Sequence, residues 1–299
     1  TSTNTTITNL EAGIYSLKIT DKDGFSITEE LTVTQPNLLS IASNIEKNIS
    51  CFEGNDGAIE VTFSGGTLPY TYNWTTINGS GIIQNTKNQN TLTAGKYTLK
   101  IVDKNNCTTS KSFTLSEPQE LLISISSKQN ILCYGDSTGA IEIDVSGGTQ
   151  LETSPGTFEY LYEWTGPNGF TSSSKNINGL FTGSYYVKVT DKQGCTTNTN
   201  ILINQPTEID IQFIKTDITC YGEANGSIDL SVLGGKAPYQ ISWNNLANGF
   251  SLSNLSPNTY IATITDANNC LEQVSIKIEQ PIFFIDPIVT PISCNGAND

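Results

Sequence analysis

The stretch "AGIYSLKITDKDGF" at residues 12–25 returns as "AGKYTLKIVDKNNC" (94–107), "TGSYYVKVTDKQGC" (182–195) and "PNTYIATITDANNC" (257–270). In each copy apolar and polar residues alternate, so that Tyr97, Leu99 and Ile101 share one face and Lys100 takes the other. A period of two means a strand buried on one side. Each run ends in a four-residue turn: "DKDG", "DKNN", "DKQG" and "DANN". All four begin with Asp and offer Gly or Asn where a left-handed residue closes a short hairpin with a bulge. Three copies then reach a cysteine, and the first reaches Phe25.

Working outward, the rest of the chain repeats in step. The boundaries "TQP" (34–36), "SEP" (116–118), "NQP" (204–206) and "EQP" (279–281) lie 82, 88 and 75 residues apart. After each comes a cysteine with a turn, an alternating run, a double Gly, an aromatic run ending in Trp, a variable polar stretch and the motif above. This order divides the chain into the end of one repeat (1–35), three whole repeats (36–117, 118–205, 206–280) and the start of another (281–299). The start in mid-pattern and the missing initiator Met predict a piece of a longer protein.

The other runs alternate in the same way. Ile59, Val61 and Phe63 share a face, as do Ile141, Ile143 and Val145, and then Ile228, Leu230 and Val232. The aromatic runs read Tyr70, Tyr72, Trp74; Tyr160, Tyr162, Trp164; and Tyr239, Ile241, Trp243. No window carries a helical period. About seven short strands per repeat, with a buried Trp on the third, predict an all-β chain of tandem immunoglobulin-like antiparallel sandwiches. The Tyr that opens the penultimate strand stands where that fold places its tyrosine corner. A proline at each boundary, with almost no linker, predicts an elongated, semi-rigid rod.

Composition excludes several functions. There is no His, Met or Arg; all fifteen basic residues are Lys, and the net charge is −14. Nucleic acid, whose affinity comes from cations neutralising phosphates, is not a partner of such a surface. No stretch nears eighteen consecutive apolar residues, so no membrane helix is expected.

Seven cysteines fill two repeated positions: a start position (Cys51, Cys133, Cys220, Cys294) and a hairpin position (Cys107, Cys195, Cys270). Two simple pairings fit. Pairing within repeats gives Cys51–Cys107, Cys133–Cys195 and Cys220–Cys270, with Cys294 left for a partner further on. Pairing across boundaries gives Cys107–Cys133, Cys195–Cys220 and Cys270–Cys294. The second strands Cys51 against Phe25, so the reading favours the first, with Phe25 as an apolar replacement for a lost staple. Loops of this size would gain roughly 4 kcal/mol each from reduced unfolded-state entropy. Disulfides place the chain outside the cytosol. Reduced thiols or zinc are the lesser alternatives; zinc would lack His ligands and a CxxC pair.

Catalytic chemistry finds little footing. Without His, nucleophile–His arrangements are excluded, and "SGGT" (64–67, 146–149) is a strand-end turn rather than a phosphate loop. The acidic residues recur in step with the repeats, so no enzyme is expected. Calcium is conceivable if Asp56, Asp136 and Glu223, after the start cysteines, meet the hairpin residues Asp21, Asp103, Asp191 and Asp266. The plainer reading is that these side chains cap their own turns, leaving no cofactor. The Trp and Tyr residues read as core rather than as a sugar-stacking platform, and Phe52, Tyr134 and Tyr221 as covers for the disulfides. The second repeat carries an insertion at 150–158.

Taken together, "CFEGNDGAIEVTFSGG" (51–66), "CYGDSTGAIEIDVSGG" (133–148) and "CYGEANGSIDLSVLGG" (220–235) resemble the SprB repeat. So do "PYTYNW" (69–74) and "PYQISW" (238–243), followed by the hairpin motif and a closing Q-P. That family occurs in very large surface adhesins of gliding Bacteroidetes. The resemblance implies export by the type IX secretion system, coupling to surface components of the gliding motor, and attachment to external surfaces or polysaccharides. It implies an extracellular, cell-surface location, and "DST" (136–138) is similar to the short O-glycosylation site of that phylum. The alternative is a stalk or carbohydrate-binding accessory of a secreted polysaccharide-active enzyme.

Overall fold

In a computed structural model that describes residues 5–155 and 157–282, the alternating runs become antiparallel strands with no α-helix among them. The first full copy shows the plan. Ser40–Lys47, Gly57–Ser64 and Gln89–Leu92 form one sheet, in the order first, second, fourth. Thr71–Ile77, Gly95–Val102 and Thr108–Leu115 form the other, with Gly95–Val102 in the middle. These two sheets have the strand connections of the immunoglobulin sandwich without its fourth edge strand. Six strands therefore stand where about seven were expected. The third copy repeats the plan with Asp210–Thr216, Gly226–Leu233 and Ser251–Leu255 against Gln240–Trp243, Asn258–Thr265 and Leu271–Ile278.

The second copy has Leu122–Gln129, Gly139–Ser146 and Ile177–Leu180 in one sheet and adds a short edge strand, Thr171–Ser172, to the other. Its insertion is a two-stranded ribbon, Leu151–Ser154 paired with Thr157–Glu159. Before the full copies, Gly13–Thr20 and Ser26–Val33 pair as a hairpin in register Gly13 to Val33.

The chain divides into two units. The first holds residues 1–122, 146–160 and 190–196, and the second holds 123–145, 161–189 and 197–299. The core of the first unit gathers the inward faces already read from the sequence, Ile59, Val61, Trp74, Tyr97, Leu99 and Ile101, and adds Phe113; all are buried. Trp74 and Phe113 meet with ring centroids 5.8 Å apart. The core of the second unit is equivalent, with Ile228, Ile241, Trp243, Tyr260, Ile264 and Ile276. Antibody domains join these sheets through a disulfide; here apolar side chains fill the middle and the cysteines lie at the ends.

Each Trp satisfies its indole N–H on a backbone carbonyl: Trp74 on Thr86, Trp164 on Ser174 and Trp243 on Gly249, all at 2.9 Å. The Tyr of the motif strand donates to a carbonyl four residues upstream in every copy: Tyr15 to Glu11, Tyr97 to Thr93, Tyr185 to Phe181 and Tyr260 to Ser256. The tyrosine corner is present four times over.

Candidate functional site: the cysteine junction

The two cysteine positions lie at opposite ends of one sandwich. In the first copy Val102 pairs with Thr108 beside the hairpin, and Gly95 pairs with Leu115 seven residues along the strand, at the other end. The start loop sits at that far end, because Gly57 pairs with Leu92, close before Gly95. An eight-residue strand spans about 26 Å. A disulfide needs Cα atoms about 4.4–6.8 Å apart. No bond can therefore close a repeat on itself.

The hairpin end is built from three segments tied by backbone and one carboxylate. Asp103 Oδ1 accepts from the N–H of Asn105 and of Cys107, both at 2.8 Å, and its Oδ2 accepts from Thr67 at 2.8 Å. Asp191 holds Gln193, Cys195 and Thr149 in the same way, and Asp266 holds Asn268, Cys270 and Lys236. All three are buried. Burial alone would raise the pKa of Asp103 and Asp266. The backbone donors outweigh it and hold each carboxyl below its ordinary range. The fourth turn residue is left-handed in each: Gly24, Asn106, Gly194 and Asn269. Next to the hairpin, the double Gly receives the segment that follows the boundary proline. Gly66, Gly148 and Gly235 donate to the carbonyls of Asn37, Gln119 and Thr207 at 2.8–2.9 Å.

The start end is closed by the residues just before the proline. Ile49, Ile131 and Ile218 donate to the carbonyls of Ser116, Asn204 and Glu279. Glu117, Gln205 and Gln280 accept from the start-loop N–H groups of Glu53, Gly135 and Gly222 at 2.7, 3.1 and 3.2 Å. In the first copy Asp56 also accepts from Lys47 and Ser50, which holds its carboxyl well below the usual range. The loop that carries the start cysteine is thus fixed at the point where one copy passes to the next.

Across that point the next copy presents its hairpin. Cys51 is bonded to Cys195, with Cα atoms 5.6 Å apart, and Cys133 to Cys270, with Cα atoms 5.5 Å apart. Each bond lies within one of the two units. Both expected pairings are corrected. Cys51–Cys107, Cys133–Cys195 and Cys220–Cys270 would have to cross the length of a sandwich, and Cys107–Cys133 and Cys195–Cys220 also join the wrong ends. Of the six expected half-cystines, Cys107 and Cys220 are exposed free thiols; Cys294 lies outside the described residues. Phe25, read as an apolar staple, is 79% exposed and packs no core. Phe52, Tyr134 and Tyr221 are also largely exposed, at 41–64%. The cross-copy bond was missed, although the sandwich topology itself carried the signal.

The loops considered for calcium do meet, but between copies. Asp136 from a start loop and Glu208, Asp266 and Glu272 from the next copy line an open cavity of about 330 Å³ in the second unit. Both oxygens of Asp266 are occupied by backbone N–H groups. Among the described residues no group of three or more His, Cys, Asp or Glu is placed to hold a metal. Every buried side-chain polar atom among them has a partner, so no orphaned group marks a ligand site. No helix among the described residues is long and apolar enough to cross a membrane.

The SprB-repeat sequence model matches the chain in three places, residues 43–79, 125–169 and 213–248. No curated protein matches it. Among solved structures, the N-terminal eight immunoglobulin domains of Down Syndrome Cell Adhesion Molecule are similar at 11% identity, with a TM-score of 0.40 over 91% of this chain. The chain spans 40% of that structure's length. Sidekick-1 immunoglobulin domains 1–5 give 14% identity and a TM-score of 0.34, over 90% of this chain and 66% of theirs. A three-immunoglobulin-domain segment of titin gives 13% and 0.39, over 84% of this chain and all of its own.

Proposed function

We infer from the three matches to the SprB-repeat model that this chain is a segment of a large cell-surface adhesin filament used in bacterial gliding motility. What supports the reading is the combination of tandem immunoglobulin-like repeats, three matches to the SprB-repeat model and two disulfides, which fits an adhesin-type structural module. Its bonds belong to an oxidising, extracellular setting. In our reading the repeats run 36–117, 118–205 and 206–280. The filament is exported by the type IX system of a Bacteroidetes cell, coupled to surface components of the motor, and gripped to external surfaces or polysaccharides.

One observation carries the reading: each disulfide joins a start loop to the hairpin of the next copy. A catalytic or signalling module has no need to be covalently tied to its neighbour. A filament dragged over a surface does, because load is transmitted from repeat to repeat, and bonds at the junctions carry it past the folded cores. The acidic surface, with net charge −14, favours solubility and discourages self-association.

The test is to label this segment with a fluorescent antibody fragment on living cells of the source organism. Label that travels along the cell is expected. Label that stays fixed, or is found only in the medium beside a catalytic domain, would contradict motility and favour a stalk of a secreted enzyme.

A further inference from the structure

The two free thiols occupy positions that are bonded elsewhere in the same chain. Cys107 ends a hairpin as Cys195 and Cys270 do, and Cys220 opens a start loop as Cys51 and Cys133 do. Their surroundings match as well. The Cys107 N–H donates to Asp103 Oδ1 at 2.8 Å, as those of Cys195 and Cys270 do to Asp191 and Asp266 at 2.8 and 2.9 Å. The start loop of Cys220 is held by Gln280 at 3.2 Å, as that of Cys133 is by Gln205 at 3.1 Å. Both thiols are exposed at the end of a sandwich, in loops already shaped like those that carry a disulfide.

The spacing along the chain agrees. Cys107 to Cys133, Cys195 to Cys220 and Cys270 to Cys294 are 26, 25 and 24 residues apart. Each interval leads from a hairpin cysteine, through the last strand and the boundary proline, to the next start cysteine. Two covalent tracks result. One runs from Cys51 across its bond to Cys195 and along 25 residues to Cys220. The other runs from Cys107 along 26 residues to Cys133 and across its bond to Cys270. Each free thiol is the open end of one track.

We propose that Cys107 and Cys220 are covalent docking sites for further repeats of this same kind. Cys107 takes the start-loop cysteine of a repeat on the N-terminal side, and Cys220 takes a hairpin cysteine of a repeat on the C-terminal side. In each bond two thiols lose two protons and two electrons to the disulfide of an envelope thiol oxidant, which is reduced to a dithiol. Continued along an array, the two interleaved tracks cross successive junctions alternately by a disulfide and by backbone, so that every junction carries one of each. From Cys51 to Cys220 the backbone path is then 25 residues instead of 169. Fully extended, that is about 90 Å rather than about 600 Å, so unfolded sandwiches would lengthen the array very little.

The proposal stands apart from the motility reading, since it concerns which thiols pair and not what the filament grips. The protein as the cell exports it is purified without reductant, its free thiols are blocked, and it is digested for mass spectrometry. The Cys107 and Cys220 peptides are expected to appear only after reduction. Each should be released with a partner from a repeat outside residues 36–280, a start-loop peptide for Cys107 and a hairpin peptide for Cys220. Recovery of either residue as a blocked thiol, or bonded to a cysteine of its own position type, would overturn it.

Discussion

A single carboxylate organises each hairpin end, and at Asp103 and Asp266 its protonation is the residue-scale weak point. Asp103 and Asp266 each accept three backbone N–H bonds and are held below the ordinary carboxylate range. A depressed folded pKa contributes stability that is fully present above the unfolded value, about 3.9, and is lost as pH falls through the folded value. Thermal melts are therefore expected to show no loss from these groups between pH 7 and 5 and a growing loss below about pH 4. Asp266→Asn should lower the melting temperature at neutral pH and shrink that acid-side loss; an unchanged acid limb would remove Asp266 from the account. Tyr97 is the other residue on which an end depends, since its hydroxyl donates to Thr93 and accepts from Ser80 inside a fully buried site. Tyr97→Phe is expected to cost about 1 kcal/mol in denaturant unfolding, because it removes the hydroxyl's hydrogen bonds to the Thr93 and Ser80 backbone.

At the scale of elements, the double-Gly turn holds the entry of each repeat. Gly147 has φ +78°, and a β-carbon there would come within 1.8 Å of the Glu120 carbonyl. Gly194, at φ +86°, has nothing within 4 Å of the same position. Gly194→Ala should therefore cost only the left-handed penalty, about 1–2 kcal/mol. Gly147→Ala should cost clearly more, because the clash is with backbone that cannot yield cheaply. Equal losses in parallel urea titrations would mean that the linker is not held there. Most of this level was legible in the sequence. Ile59, Leu99 and Trp74 are buried as alternation required, and Asn106 and Asn269 are left-handed as turn chemistry required. What was not legible came from outside local pattern. The edge strand missing from the first and third copies, and the ribbon at Leu151–Glu159, are packing outcomes of variable polar stretches that carry no period.

Over the whole molecule the decisive contacts are the two disulfides, and here sequence reading went astray for a physical reason. Counting cysteines treats pairing as a matter of proximity along the chain. Pairing is decided instead by which end of a sandwich each loop occupies, and Cys51 and Cys107 occupy opposite ends. The bonds close segments with sequence separations of 144 and 137. In the loop-entropy account each is worth about 5 kcal/mol; the segments overlap, so the two contributions do not simply add. Cys51→Ser and Cys195→Ser should destabilise the chain alike, and the double substitution should be no worse than either alone. Cys107→Ser should leave the melting temperature of this chain unchanged. If Cys51→Ser paired in its effect with Cys107→Ser instead, each repeat would be closed on itself. The most direct measurement is a disulfide map of this chain, digested unreduced with its thiols blocked at the outset. The account predicts linked peptides joining Cys51 to Cys195 and Cys133 to Cys270; peptides joining Cys51 to Cys107 and Cys133 to Cys195 would contradict it.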